Sequence, residues 1–403
     1  MPNPGGQFFA ASYGDIEDYF ISDSWLLDQY IGDVLWGWGL NNAALGNNNT
    51  TSSSTPVTTF SGGTNWKSVV CNRTFGTSNG HVVALKTDGT LWVWGSSVSG
   101  TNDTNTRTTP VTTFAGGNNW KSITTGYNHS AAIKTDGTLW VWGTNNNGQL
   151  GINNTIGRST PVTTFAGGTN WKSVACGYNS TAAIKTDGTL WTWGLNSYGF
   201  LGINISGTTT GRTTPVTTFV GGTNWRQVSA SFACTAIKTD GTLWVWGYNN
   251  TGILGTNDTN NRSIPVTTFA GGNNWKNVSS STDITSAIKT DGTLWSWGSN
   301  TNGQLGDNTG AGTDKLTPIT TFAGGNNWKS VATGNNHSVA IKTDGTLWVW
   351  GANNNGQLGI NNTTDKSTPV TTFLGGNNWK SIFSANNGNT TFAVTAGFNV
   401  DLS

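Results

Sequence analysis

The pentapeptide LWxWG recurs seven times, and this recurrence constrains the fold more than any other feature of the chain. Its tryptophan pairs are Trp36/Trp38, Trp92/Trp94, Trp140/Trp142, Trp191/Trp193, Trp244/Trp246, Trp295/Trp297 and Trp348/Trp350. Successive copies lie 48 to 56 residues apart. A period of this length marks a propeller, a solenoid or an array, in which each unit buries its apolar face against its neighbours. The last unit is incomplete. After the seventh LWxWG the chain passes TPVTTF and NNWKSI and reaches Thr391-Phe392-Ala393-Val394-Thr395-Ala396-Gly397. That piece matches the SAAIKTDG that precedes LWVWG elsewhere, yet no LWVWG follows it. The first LWGWG, at 35–39, has no KTDGT before it. The two half-units add up to one whole, which predicts a ring of seven units closed by joining the two ends.

Each unit has the same order of parts. NWK leads, a short run of small residues follows, then a variable stretch, then AIKTDGT and LWVWG. An Asn/Gly/Thr-rich loop, often NGQLG, comes next, and TPVTTFAGG leads into the following NWK. AAIK and LWVWG flank an Asp-Gly pair, a strong hairpin signal. LWVW is apolar on both faces, which predicts a strand covered on both sides. The proline of TPVTTF suits the start of an outer strand. The expected fold is all-β: four short strands per unit, 28 in all, forming one seven-bladed propeller over residues 34–403. Residues 1–33 stand outside the repeat as a leader. Each buried tryptophan removes roughly 150–250 Å² from water, on the order of 4–6 kcal/mol of gross burial. An aromatic core of this kind can support a chain in which only 34% of residues are hydrophobic.

Charge is sparse and ordered. Nineteen of the twenty cations fall in three slots: after NW, before TDGT and before TP. Arg73 is the exception. The net charge of +1 divides into −6 for residues 1–33 and +7 for the remainder. That balance is too weak for a dedicated nucleic-acid surface. Cys71, Cys176 and Cys234 have no spacing that suits a disulfide framework or a zinc site, and read as small buried fillers. No stretch is apolar and long enough to insert in a membrane, and no classical signal peptide is visible at the N-terminus.

The string GxxHSxAIKTDGTLWVWGxNxxGQLG, at 126–151 and 334–359, resembles the repeat of the regulator of chromosome condensation family. The resemblance covers residues 34–403 and implies a seven-bladed β-propeller closed by strands from both ends. It implies little about function, because fold and function separate readily. The family's founding activity is nucleotide exchange on a small GTPase, and no motif here carries that activity across. The near-identical Asn/Thr/Gly-rich copies behind a short acidic-aromatic leader are similar to structural proteins of marine tailed phages.

No catalytic arrangement is legible, and no cofactor or metal is expected. His81, His129 and His337 sit in equivalent slots of different repeats, so ring symmetry should hold them apart, each bonding backbone of its own blade. The KTDGT aspartates (Asp88, Asp136, Asp187, Asp240, Asp291, Asp344) read as turn residues. NGQLG lacks the strand–loop–helix context of a phosphate loop, and its glycines are expected to supply positive φ.

Two features carry functional expectation. KTDGTLWVWG and TPVTTFAGG barely change between repeats, whereas the stretch after NW and the loop after LWxWG change freely. Antiparallel strand order puts both variable loops on one side of the disc, giving a uniform face and a diversified one. Tyr127, Tyr178, Tyr198, Phe200, Phe232 and Tyr248 are the candidate contact residues of the diversified face. The leader holds Phe8, Phe9, Tyr13, Tyr19, Phe20, Trp25 and Tyr30 among six acids. These aromatics are candidate anchors, with a short helix expected at WLLDQY. The resulting expectation is a non-enzymatic component of a tailed-phage virion. Its leader would bind other virion proteins, and its propeller would present a face to a host-surface ligand or protein. The alternative is a free bacterial propeller, cytoplasmic or secreted, that inhibits an enzyme or scaffolds partners.

Overall fold

A computed structural model describes residues 32–60, 63–73, 80–95, 100–103, 105–207, 210–309, 312–384 and 388–397. The leader's anchoring aromatics and its expected helix lie outside the described residues. Twenty-eight strands form seven four-stranded antiparallel sheets. Blade 1 holds β3–β6 (66–112) and blade 2 holds β7–β10 (120–163). Blades 3 to 6 follow as β11–β14 (171–217), β15–β18 (225–267), β19–β22 (275–320) and β23–β26 (328–371). Blade 7 joins the ends: β27 (Trp379–Ser384) and β28 (Thr390–Thr395) pair with β1 (Val34–Gly39) and β2 (Ser53–Thr58). Within each blade the NWK strand is innermost and the TPVT strand outermost. The described residues contain no helix.

Closure is a full strand pairing. β1 and β28 run in unbroken register from Val34↔Thr395 to Gly39↔Thr390. The seam also carries a size exchange. In blade 2 Ala131 faces Val141 across the equivalent pair, whereas in blade 7 Phe392 faces Gly37. A Cβ at Gly37 would stand 2.8 Å from Phe392 Cε1. The missing side chain at 37 is therefore the space that the Phe392 ring occupies. That ring continues outward to meet Trp94 of blade 1 edge-on, with centroids 6.4 Å apart.

Tryptophan holds blade to blade. The second Trp of each LWxWG and the Trp of each NWK are buried. In six blades the buried indole donates to a backbone carbonyl in the loop after LWxWG of the blade before it. Trp193 Nε1 reaches Gln149 O at 2.9 Å, Trp246 reaches Phe200 O at 2.9 Å and Trp297 reaches Ile253 O at 2.8 Å. The same latch crosses both sides of blade 7, as Trp38 to Gln357 O and Trp94 to Ala44 O. The latch requires glycine close by: at Gly151, where φ is +64, a Cβ would fall 2.7 Å from Trp193 Nε1. The first Trp of LWxWG is only half-buried, so the third strand is less completely covered than its apolar sequence implies. A lysine completes the cover. Lys134 Nζ lies 4.7 Å from the Trp120 ring and 4.4 Å from the Trp140 ring, and blades 1 to 6 repeat the arrangement. In blade 7 Thr395 replaces the lysine, and Trp36 Nε1 donates to its hydroxyl at 3.1 Å.

The seam exchange is testable by a double-mutant cycle. Phe392→Ala should cost about 3–5 kcal/mol by leaving a cavity, and Gly37→Val about 1–3 kcal/mol by overpacking. The double variant rebuilds the Ala–Val pair of blade 2 and should be more stable than the sum of the two losses. Denaturant unfolding of the four proteins measures this; strict additivity would mean that the residues do not share one space. Gly151→Ala, strained by its φ and blocked by an indole, should lose about 1–3 kcal/mol.

Candidate recognition face

The loops that follow β7 (Trp120–Thr125) and β9 (Leu139–Gly143), and their equivalents, emerge on the same side of the disc. Thr144 N donates to Asn128 O at 2.8 Å, tying the two loops together. The loop after LWxWG is less free than its sequence suggests. A buried asparagine organises it in six blades: Asn145 Oδ1 accepts from Leu150 N at 2.9 Å, while its Nδ2 donates to Asn154 O at 2.8 Å. Asn41, Asn196, Asn249, Asn300 and Asn353 do the same. Variation is thereby confined to positions around a fixed frame.

On this frame the six candidate aromatics form one continuous cluster across blades 2, 3 and 4. Tyr127 meets Tyr178 with ring centroids 4.5 Å apart, and Tyr178 stacks on Phe232 at 4.4 Å and 27°. Phe232 meets Tyr248 at 6.1 Å, and Tyr248 meets Tyr198 at 5.1 Å. Tyr198 is 42% exposed; Tyr127, Tyr178, Phe232 and Tyr248 are half-buried. Phe200 differs from expectation. It occupies the buried slot held by Gln149, Gln304 and Gln357 elsewhere, is 1% exposed, and forms the floor of the cluster rather than a contact. It touches Tyr198 at 5.6 Å and Phe232 at 6.4 Å. Burial, reinforced by Tyr127, pushes the Tyr178 phenol up, and burial with Asp283 does the same for Tyr248. Asp283, in the equivalent loop of blade 5, is raised by burial and by Asp314. The strip ends beside the Asp283 carboxyl. Stacked rings of this kind give a rigid contact surface at low entropic cost.

The other candidate groups do not converge. Each histidine bonds a hydroxyl of the next blade, not backbone of its own. His81 Nε2 meets Ser130 Oγ at 2.9 Å, His129 meets Thr181 Oγ1 at 2.9 Å and His337 meets Thr391 Oγ1 at 2.8 Å. The Thr181 hydroxyl donates onward to Gln149 O at 2.8 Å, and Thr391 donates to Gln357 O at 2.9 Å. The Thr181 and Thr391 hydroxyl protons are thus committed to carbonyls, so His129 and His337 donate to them from Nε2. Burial depresses these imidazoles from 6.5 to about 4 at His81 and about 3 at His129 and His337. The hairpin aspartates are turn residues. Asp136 Oδ1 accepts from Thr138 N at 2.9 Å and from its hydroxyl at 2.7 Å, which lowers its pKa. Cys71, Cys176 and Cys234 are free and buried, and desolvation raises their thiols, those of Cys176 and Cys234 to about 12. No group of three or more metal-ligating side chains occurs among the described residues.

One feature escaped the sequence reading. Phe60, Phe114, Phe165, Phe219, Phe269, Phe322 and Phe373, the last residue of each TPVTTF, are 61–67% exposed. Each follows the outermost strand, where no further strand remains to cover it.

The geometry defines a seven-bladed propeller with one uniform face and one diversified, aromatic-bearing face. The model of the Regulator of chromosome condensation (RCC1) repeat matches residues 136–184, 187–237, 240–288, 291–341 and 344–390. The chain belongs to the RCC1 repeat family. It is 31% identical over 229 residues to the ultraviolet-B receptor UVR8 of Arabidopsis thaliana, covering 55% of this chain and 51% of that protein. It is 28% identical over 203 residues to the probable E3 ubiquitin-protein ligase HERC4 of Mus musculus, covering 49% of this chain and 19% of that protein. The chain thus matches about half of the plant relative and a fifth of the mouse one. Among solved structures, yeast RCC1 (Prp20) bound to Kap60 superposes with a TM-score of 0.76 at 17% identity, covering 100% of this chain and 97% of that one. Human WBSCR16 gives 0.74 at 17% identity, covering 91% and 100%. At that identity these structures attest the fold alone.

The histidine relays give a pH prediction. Their folded pKa values lie below 6.5, so below that pH the unfolded chain binds protons that the folded chain does not. Stability should be fully present above pH 6.5 and should fall as pH drops toward 4, by at most about 1.4 kcal/mol per pH unit per histidine. Melting curves between pH 7 and 4 check this. The triple variant His81→Gln/His129→Gln/His337→Gln should show a shallower slope.

Proposed function

We propose that this chain is a non-catalytic recognition propeller whose diversified face binds a macromolecular partner through the aromatic strip from Tyr127 to Tyr198. The observation that carries this reading is the continuity of that strip. Aromatics supplied by three blades, at positions that mostly hold non-aromatic residues in other repeats, meet in one unbroken contact series. Drift in unconstrained loops would scatter such residues. The yeast family member Prp20 has been solved with Kap60 bound, and binding properties toward Gsp1p and histones are described for it. Partner binding is thus a use to which this propeller has been put elsewhere.

The setting we propose is the virion of a tailed phage, with residues 1–33 as attachment and the diversified face turned outward. The composition of the leader and the near-identity of the Asn/Thr/Gly-rich copies support it. Mass spectrometry of particles purified from the culture that makes this chain should find it at a fixed copy number per particle. Tyr178→Ser with Phe232→Ser should cost particle adsorption at least about tenfold while leaving the melting temperature within a few degrees, since hot spots concentrate in aromatic anchors. Recovery only as a free soluble monomer would reject the virion setting in favour of a free inhibitory or scaffolding propeller. Unchanged adsorption by the variant would reject the strip as the contact.

A further inference from the structure

At its blade 4 end the aromatic strip changes character. From Tyr127 through Tyr178 to Phe232 the rings overlap closely, with centroids 4.5 Å and 4.4 Å apart, so they cover one another. Beyond Phe232 the rings turn. Tyr248 stands at 55° to Phe232, and Tyr198 at 64° to Tyr248. In an edge-to-face pair the edge of one ring covers at most one face of the other, so the remaining faces stay available to a third group. The three rings thus form a corner. Phe200 is buried beneath it and touches both Tyr198 and Phe232. The backbone fixes the corner as well, since Tyr248 N donates to Phe232 O at 3.1 Å.

The next loop round the ring brings Asp283 to this corner. Asp283 O accepts from Ser299 N at 2.8 Å and from the hydroxyl of Thr251, in the loop that follows Tyr248, at 3.4 Å. Asn128, Asn179, Asn336 and Asn389 hold the same place in blades 2, 3, 6 and 7, and their carbonyls make the same bond to the loop after LWxWG at 2.8 Å. The loop therefore folds equally well on asparagine, and the negative charge at 283 is not needed for its shape. That charge is also unanswered. On the same face Arg262 pairs with Asp258 and Lys315 with Asp307. Among the described residues no cation pairs with Asp283. Its charged neighbour is a second acid, Asp314, which with burial raises the Asp283 carboxyl. Asp314 itself accepts from Asn300 N at 2.9 Å. A half-buried carboxylate without a counter-ion, beside rings whose faces carry negative charge density, makes a pocket of negative potential.

We propose that Tyr198, Phe232, Tyr248 and Asp283 form a site for an alkylammonium group, brought either by a lysine side chain of a bound protein or by a small quaternary amine. The proposal rests on the reading of this face as the recognition surface and names the chemistry of what is recognised there. A cation is drawn to the face of an aromatic ring, most strongly where water is partly excluded. Here three rings supply the faces, and Asp283 supplies the opposite charge that the ring system lacks. The carbon chain that carries the cation would lie back along Phe232 and Tyr178, where the overlapped rings offer an apolar track. The corner is also the one place on the strip where a carboxyl replaces the asparagine of the repeat, so charge and aromatic faces depart from the repeat together.

Fluorine NMR of the full chain labelled with fluorotyrosine tests it. Choline and Nα-acetyl-lysine amide are the two probes, and single Tyr→Phe variants assign the signals. Both probes should shift the Tyr198 and Tyr248 signals saturably and leave that of Tyr127, at the far end of the strip, in place. Tighter binding of choline marks a free quaternary amine as the source, and tighter binding of the lysine amide marks a protein side chain. Dimethylbutanol, the neutral isostere of choline, should bind at least about tenfold more weakly. Asp283→Asn, which restores the residue of the other blades, and Tyr198→Leu, at an exposed position, should each weaken both cations by about five- to tenfold with the melting temperature kept. Equal binding of the isostere, unchanged binding by Asp283→Asn, or no saturable shift at Tyr198 and Tyr248 would each overturn the proposal. Absent cation binding, with adsorption still lost by Tyr178→Ser/Phe232→Ser, would remove the cation site and leave the recognition reading standing. Cation binding with adsorption unchanged in that variant would keep the site and reject the strip as the adsorption contact.

Discussion

An open arc of seven blades would leave two bare strand edges and two blade faces lined with tryptophan. The pairing of Val34–Gly39 with Thr390–Thr395 removes both at once. The contacts among blades 1 to 6 are neighbour contacts and could form in an unclosed array; the closing pair within blade 7 brings together residues more than 350 positions apart. The seam is also the site of the one size exchange between strands, Phe392 against Gly37. A closed ring then lets each blade be flanked on both sides, which is how short polar-looped sheets of four strands keep an aromatic core dry.

The contacts between blades are directional as well as hydrophobic. A wedge of two indoles fills the space between sheets, and an indole N–H finds a carbonyl on the neighbouring blade. In three places a buried imidazole bonds a hydroxyl of the next blade, and at Thr181 and Thr391 that hydroxyl donates in turn. These bonds fix the angle of each blade in a way that apolar burial alone does not, since burial is non-directional. The cost falls on conformational freedom. Glycine is held at positive φ beside the indole it must clear, and the loop above it is built around one buried asparagine. A stiff frame follows, and on it a few substitutions can change the surface without disturbing the fold.

Copy number, spacing and the split last unit made the propeller and its closure legible in the sequence, down to the count of four strands per blade. The Gly37–Phe392 exchange was equally visible. Gly37 breaks the Val/Thr/Ser pattern at the middle of LWxWG, and Phe392 stands where the other copies have a small residue. Reading it required putting the two half-units in register. The histidine partners were not legible, because they lie in the next blade and depend on the angle between sheets. Phe200 could have been placed by aligning NSYGFLG with NNNGQLG, which puts it in the buried Gln slot. The exposed TPVTTF phenylalanines were obscured by period: Pro110 and Thr113 turn inward, and Phe114 follows after the ladder has ended. The aromatic candidates lie on the side of the disc where the variable loops emerge, but their contact across three blades is a property of the ring, not of any one repeat.

The structure thus separates scaffold from surface, with interchangeable blades below and local departures from the repeat above. All of it depends on the ring being closed by its ends. Hydrogen exchange resolved by residue tests that most directly. The backbone amides of Leu35–Gly39 and Phe392–Val394 should be protected as strongly as those of Leu190–Gly194 and Ala182–Ile184 in blade 3, since both sets belong to the equivalent inner ladder of their blade. Exchange of the blade 7 amides at rates of a fraying terminus, while blade 3 stays protected, would contradict closure by the two chain ends.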